Sequence, residues 1–357
     1  MRKKIIVAAG GTGGHIFPAL AIAKKLNEED VQILYVGNKN SMEEQLAAKA
    51  GFEFASIDVQ KLYRHFTLAH LKFPFKLLKS VSDSKRIIKK FQPDAFIGTG
   101  GFVCGPVGYA AHKLHIPVFL QEQNSFPGLT TRQLSKCAEK IFLGNQGAEK
   151  YLPAKKLIFS GNPANPSVLQ ETATLDFNQI GLKRDSLKMF LYGGSQGSLV
   201  LNKALYPILD EVIKNEIEII WQIGKYSFAE FYPKVQNNKG IYAFDFTHEM
   251  GKILNSVDFV VARGGALSLA EIETKKLPSI IVPLPSAAGN HQYFNAMELV
   301  NKYVSILLEQ KDLTSNALLQ KILEMKKKHV ALKANFKDSI HPQAVITISN
   351  TILRFLG

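Results

Sequence analysis

Only two cysteines, Cys104 and Cys137, occur in the 357 residues, which rules out a disulfide-stapled scaffold or a cysteine-rich metal centre. They read as reduced, buried thiols of a cytoplasmic protein. No apolar run reaches the length of a membrane span. Met1-Arg2-Lys3-Lys4 leads straight into the first expected strand, without the longer apolar stretch and small-residue site of a signal peptide. Acid is scarce as well: 30 Asp and Glu face 44 Lys and Arg, a net charge of +14. Such an excess asks for an anionic partner, whether nucleic acid, anionic membrane or phosphorylated substrate. Against these scarcities, apolar content of 46% is ordinary for a globular chain, and the length suits two domains.

What is abundant is glycine in loops. In Val7-Ala8-Ala9-Gly10-Gly11-Thr12-Gly13-Gly14-His15-Ile16, four glycines fall within five residues, between an apolar strand and an apolar-periodic helix carrying Leu20, Ala23 and Leu26. A strand turning into a helix through glycine presents several backbone N–H groups at the helix N-terminus, a cradle for diphosphate. Two familiar phosphate loops are excluded. The dinucleotide fingerprint needs glycine where Ile16 stands and an acid after the next strand, which ends Tyr35-Val36-Gly37-Asn38. A Walker loop needs Gly-Lys-Ser/Thr, which does not follow. His15 stands at the mouth of the helix, where the dipole opposes a cation and favours a neutral, base-competent imidazole.

Strands are expected at Lys4–Ala9, Gln32–Val36, Glu53–Ile57, Asp94–Gly98, Pro117–Gln121, Lys140–Leu143 and Leu157–Ser160. After a linker over Asn162–Arg184, they restart at Lys188–Tyr192, Glu218–Gln222, Ile241–Phe244, Val257–Ala262, Ser279–Val282 and Ser305–Leu308. Continuous apolar runs bounded by Gly or Pro, with helices between, imply parallel sheets covered on both faces. Each half opens on a strand and a glycine loop, the second being Gly193-Gly194-Ser195-Gln196-Gly197-Ser198. The expected architecture is two similar α/β domains facing each other, residues 1–162 and 163–339, with the final helix within 340–357 packing back on the first. One segment departs from this pattern. Lys61–Lys90 holds nine Lys and Arg and one acid, interleaved with aromatic and aliphatic residues. Its core, Leu71, Lys72, Phe73, Phe75, Lys76, Leu78 and Lys79, mixes the two as interfacial membrane segments do. The bland alternative is a helix packing its apolar stripe inward, which suits Val81–Phe91 better than Leu71–Lys79. No nucleic-acid module signature accompanies the charge, so nucleic acid is not an expected partner.

Six motifs in order carry a resemblance over essentially the whole chain: Gly10–Ala19, Gly100-Gly101-Phe102-Val103-Cys104-Gly105-Pro106, Glu122-Gln123-Asn124, Gly161-Asn162-Pro163, Gly193–Ser198 and Arg263-Gly264-Gly265-Ala266-Leu267-Ser268-Leu269-Ala270-Glu271. Together they resemble the MurG family, bacterial UDP-N-acetylglucosamine transferases that convert lipid I to lipid II in peptidoglycan synthesis. The resemblance implies a GT-B fold of two Rossmann-like doubly wound domains across a cleft. It implies an inverting transfer to the muramyl 4-hydroxyl, at the cytoplasmic face of the plasma membrane, by a peripheral protein. The implied partners are UDP-N-acetylglucosamine, undecaprenyl-linked lipid I and an anionic membrane surface. No cofactor is expected and no Asp-x-Asp metal motif occurs, so helix N-termini and loop amides, notably at Ser195-Gln196-Gly197, would stabilise the departing UDP.

By the same resemblance, Glu271 accepts from ribose hydroxyls, and donor contacts fall on Thr12, Gly13, Gly14, Asn124, Asn165, Ser195, Gln196, Thr247, Ala266, Leu267, Ser268, Leu269, Ala270, His291 and Gln292. The acceptor diphosphate falls on Gly11, Gly13, Gly14, Gly100, Gly101 and Gly105. Two general bases are open, His15 and Glu122. The chain departs from the family pattern at Gln121, where histidine is usual, and at Asn165, where arginine is usual. Lys225 is a conceivable substitute cation. Rival readings are a UDP-N-acetylglucosamine 2-epimerase, which needs no membrane segment, and a non-catalytic UDP-sugar-binding subunit.

Overall fold

A computed structural model describes residues 2–60, 69–194 and 196–357, with the side chains of 69–73 left undescribed. Ser195 and the side chains of Leu71, Lys72 and Phe73 therefore lie outside the described residues. The chain divides into two units, Met1–Asn165 with Ile340–Gly357, and Pro166–Ser339.

The first unit is built on β1 (Lys4–Ala8), β2 (Gln32–Asn38), β3 (Glu53–Ile57), β4 (Ala95–Gly98), β5 (Val118–Glu122), β6 (Lys140–Leu143) and β7 (Leu157–Phe159). They form one sheet in the order β3-β2-β1-β4-β5-β6-β7, every pair parallel. Side chains alternate across the pleat, so both faces need cover. Ile5 and Val7 pack with Ala19, Ile22 and Leu26 of α1 (Gly13–Glu28) and with Ile348 and Ile352 of the C-terminal helix Ala344–Leu356. Ile6 and Ala8 pack on the opposite face with Ile88 and Phe91 of α2 (Ala69–Phe91) and with Val107 and Ala111 of α3 (Cys104–Lys113). The helices following β1 and β4 thus leave neighbouring strands toward opposite faces. That divergence makes the β1/β4 boundary the switch point of the sheet, and both N-terminal glycine loops follow its strands there.

The second unit repeats the plan. Its strands are β8 (Leu187–Tyr192), β9 (Ile217–Gln222), β10 (Ile241–Phe244), β11 (Phe259–Ala262), β12 (Ser279–Ile281) and β13 (Ser305–Leu307), in the parallel order β10-β9-β8-β11-β12-β13. Leu201 and Leu205 of α4 (Leu199–Leu205) join Met189 and Leu191 on one face. Leu269 and Ile272 of α5 (Ala266–Thr274) join Phe190 and Tyr192 on the other. The switch point here lies between β8 and β11, and glycine loops again follow both strands.

The expected linker is shorter than its composition suggests. Val168 and Leu182 are buried in the second unit's core, with Leu175, Phe177 and Ile180 packed against it. The carbonyl of Glu171 accepts from Asn255 Nδ2 at 2.9 Å and Lys275 Nζ at 2.6 Å. Of these apolar residues only Val168 falls in a helix, the single turn Pro166–Leu169; the others have no regular period because tertiary packing orders them.

In α2, Ser80, Ser84, Ile88 and Phe91 are buried at helical spacing. One turn earlier the helix faces outward: Phe75 is 76% exposed and Leu78 69%, beside half-buried Lys76 and exposed Lys79. Among the described residues, no helix is long and apolar enough to cross a membrane.

Candidate active site

In the first unit, β1 runs into Gly10–Thr12, and Thr12 caps α1 in an extended conformation. The carbonyl of Thr12 accepts from His15 N at 3.0 Å and Ile16 N at 3.1 Å. Gly13 and Gly14 therefore supply first-turn amides, the groups a helix leaves for an anion. The second loop, Gly100–Gly101, lies directly on the first. A Cβ on Gly101, whose φ is +84°, would fall 2.0 Å from the carbonyl oxygen of Gly10. A Cβ on Gly100 would fall 2.7 Å from His15 Nδ1. Gly105 sits in the first turn of α3. The thiol of Cys104 donates to Ala8 O and Gly100 O, both at 2.9 Å, and burial pushes it up to about 12, which leaves it a structural tie between the loops rather than a nucleophile.

His15 is half-buried in the first turn of α1. Its Nδ1 lies 3.0 Å from Gln123 Oε1 and 3.2 Å from Thr99 O, while Thr99 Oγ1 donates to His15 O at 2.8 Å. Glu122, the other candidate base, is buried at the end of β5. Its Oε1 accepts from Asn124 N at 3.1 Å and Asn124 Nδ2 at 3.0 Å, and its Oε2 accepts from Gly128 N at 3.0 Å. This carboxylate staples the turn that follows the strand. Asn165 is exposed, at the last residue before the chain passes to the second unit.

In the second unit, Gln222 Nε2 at the end of β9 donates to Gly194 O at 3.3 Å, holding the loop after β8 from beneath. Gln196 in that loop is exposed. The loop after β11 is clamped by α6 (His291–Asn301): Gln292 Oε1 accepts from Gly264 N at 3.1 Å and Leu284 N at 3.0 Å, and Asn295 Nδ2 donates to Gly264 O at 3.1 Å. His291 Nδ1 pairs with Ala288 O at 2.7 Å. Ala266, Leu269 and Ala270 are buried on α5, whereas Leu267, Ser268 and Glu271 are only partly covered. Glu271 stands near Tyr192, whose phenol is pushed up by burial and then by that carboxylate. Thr247 Oγ1 accepts from Glu249 N at 2.9 Å at the start of the following helix.

Two groups take tasks that motif reading did not assign, although Arg263, Gln123 and Asn162 stand in the quoted motifs and Gln121 was noted as a departure from the family pattern. Arg263 is buried, donating to Val282 O at 3.1 Å, Pro283 O at 3.4 Å and Ser198 Oγ at 2.9 Å. All three acceptors are neutral, and burial brings the guanidinium down to about 10. The other is the buried amide set Gln121, Gln123 and Asn162 behind His15. Their signal in the sequence is faint: Gln121 and Gln123 alternate at the end of an otherwise apolar strand. Among the described residues, no group of three or more His, Cys, Asp or Glu is placed to hold a metal ion.

Two doubly wound α/β sheets, each with paired glycine loops at its switch point, are the architecture of the GT-B class. Two family models match: the glycosyltransferase family 28 N-terminal domain over residues 5–143 and its C-terminal domain over residues 189–347. The chain is 37% identical over 328 residues to a Bacillus thuringiensis UDP-N-acetylglucosamine--N-acetylmuramyl-(pentapeptide) pyrophosphoryl-undecaprenol N-acetylglucosamine transferase, covering 90% of each chain. It is similar to the crystal structure of Acinetobacter baumannii MurG, with a TM-score of 0.79 and 28% identity over 99% of each chain. A putative UDP-N-acetylglucosamine 2-epimerase from Listeria monocytogenes shares the fold alone, at 13% identity and a TM-score of 0.66 over 99% of this chain and 98% of its own. The chain belongs to glycosyltransferase family 28, among its UDP-N-acetylglucosamine--N-acetylmuramyl-(pentapeptide) pyrophosphoryl-undecaprenol N-acetylglucosamine transferases.

Proposed function

We propose that this protein moves N-acetylglucosamine from UDP-N-acetylglucosamine to the 4-hydroxyl of the muramyl sugar in lipid I, with inversion. The observation that carries the reading is the doubled switch point: each unit presents glycine loops there, one pair for each diphosphate-bearing substrate. The first unit would hold the acceptor diphosphate on Gly11, Gly13, Gly14, Gly100, Gly101 and Gly105. The second would hold the donor, with the Ala266–Glu271 turn on the nucleoside, Glu271 on the ribose, and Gln196, His291 and Gln292 toward diphosphate and sugar. His15 Nε2 takes the proton of the 4-hydroxyl as that oxygen attacks the anomeric carbon. The bond to UDP breaks on the opposite face, and its negative charge meets loop amides already oriented toward it.

The test is UDP release by the full chain from UDP-N-acetylglucosamine, with and without a lipid I analogue. Release that requires the acceptor is expected. Conversion of donor alone to the manno sugar would mark an epimerase, and donor binding without transfer to any acceptor would mark a binding subunit. Replacing Glu271 by alanine is expected to weaken UDP-N-acetylglucosamine binding about 10- to 100-fold in calorimetry, the worth of a charge-assisted hydrogen bond. An unchanged affinity removes the ribose assignment.

Membrane docking through α2 belongs to the same reading. Phe75 and Leu78 point to solvent beside Lys76 and Lys79 on a helix whose later turns are seated in the core. Apolar insertion and attraction to anionic headgroups add there. The double substitution Phe75→Ser, Leu78→Ser should cut sedimentation with phosphatidylglycerol-containing vesicles by at least about tenfold. Equal sedimentation would leave an ordinary solvated helix end.

A further inference from the structure

Behind His15 the buried amides form a chain whose direction is set by backbone carbonyls. The carbonyl of Gln123 can only accept, and Asn162 Nδ2 faces it at 3.0 Å, alongside Asn145 Nδ2 at 2.8 Å. Asn162 must therefore turn its Oδ1 the other way, toward Gln121 Nε2 at 3.3 Å. Gln121 Oε1 then faces Gln123 Nε2, which also donates to Thr99 O at 2.7 Å. Two accept-only partners thus hold the Gln123 amide in one sense, and its Oε1 is left facing His15 Nδ1 at 3.0 Å. Flipping any one amide would set oxygen against oxygen in a site without exposed edges.

We propose that Gln123, its orientation enforced by Gln121, Asn162 and Thr99, is a positioning residue that holds neutral His15 in the Nδ1-protonated tautomer. The hydrogen on Nδ1 lies between Gln123 Oε1 and Thr99 O, 3.2 Å away, and the unprotonated lone pair is on Nε2. Gly100 makes room for this ring, since a Cβ there would meet Nδ1 at 2.7 Å. Gln121 suits the relay because an amide has no proton to lose or gain, so its direction does not depend on pH. The tautomer follows from this geometry alone; its use in catalysis rests on the reading of His15 as the base.

The experiment is a long-range ¹H–¹⁵N imidazole spectrum of the full chain labelled in histidine, with His15 assigned by its loss in His15→Gln. Wild-type His15 is expected to show a protonated Nδ1 and a bare Nε2. In Gln123→Met, of similar length but without the acceptor, the two tautomers should mix. Turnover should fall about tenfold with the donor Kd unchanged. Gln123→Asn, whose shorter amide does not reach His15, is the substitute if the first variant does not fold. A wild-type Nε2-protonated ring overturns the proposal, as does an unmixed Nδ1-protonated ring in the variants. If the tautomer responds as expected but His15→Ala keeps its turnover, the positioning role stands and the assignment of the base falls.

Discussion

Substituting His15 with alanine is expected to lower kcat about 10²- to 10⁴-fold, the range for loss of a general base. The Kd for UDP-N-acetylglucosamine, read by calorimetry, should stay within about twofold, because the role proposed for the side chain is on the acceptor proton and not on the donor. The competing carboxylate is badly placed for this work. Both oxygens of Glu122 already accept N–H groups, from Asn124 N, Asn124 Nδ2 and Gly128 N, and freeing one would unpin the turn after β5. His15 instead has one nitrogen anchored and the other turned away from its anchors. Turnover that survives the substitution would return the role to Glu122.

The strand pattern was open to reading because parallel strands buried on both faces are mostly apolar along their length, with a few buried exceptions such as the Lys188–Glu218 ion pair of β8 and β9. Runs such as Ile5-Ile6-Val7-Ala8 and Phe259-Val260-Val261-Ala262 have no competing helical period, and Gly or Pro closes them. The residues 166–184 misled for the converse reason. Val168, Leu175, Phe177, Ile180 and Leu182 are spaced as no regular element would space them, and only the surface they meet explains their burial. The glycine loops were legible because positive φ and close backbone approach admit almost nothing else, as at Gly101. Hydrogen-bond direction was not legible. Asn162 lies 39 positions from Gln123, and His341, whose Nδ1 accepts from Asn162 N at 2.9 Å, lies 179 positions from Asn162. Arg263 was quoted as part of a motif, yet its task of joining the ends of β11 and β12 to Ser198 depends on three segments that only the fold assembles.

Gly101→Ala should be among the most damaging single-methyl changes in the first unit. Two penalties act together. An L-residue at φ +84° costs about 1–2 kcal/mol. The new Cβ would also lie 2.0 Å from Gly10 O, 2.9 Å from Gly10 C and 3.1 Å from Gly10 N. All three atoms are backbone, so no rotamer change relieves the overlap and the two loops must part, at a further ~1–3 kcal/mol. Gly51 separates the terms: its φ is +78°, and a Cβ there meets nothing within 4 Å. Gly51→Ala should therefore lose only the conformational part. In urea unfolding followed by a probe on the first unit, Gly101→Ala is expected to fall about 2–5 kcal/mol below wild type, and Gly51→Ala about 1–2 kcal/mol. The donor Kd should change little in either, since the loops proposed for UDP lie in the other unit. Equal losses from the two alanines would mean that the loops do not lie backbone on backbone, and the diphosphate cradle assigned to them would go with that contact.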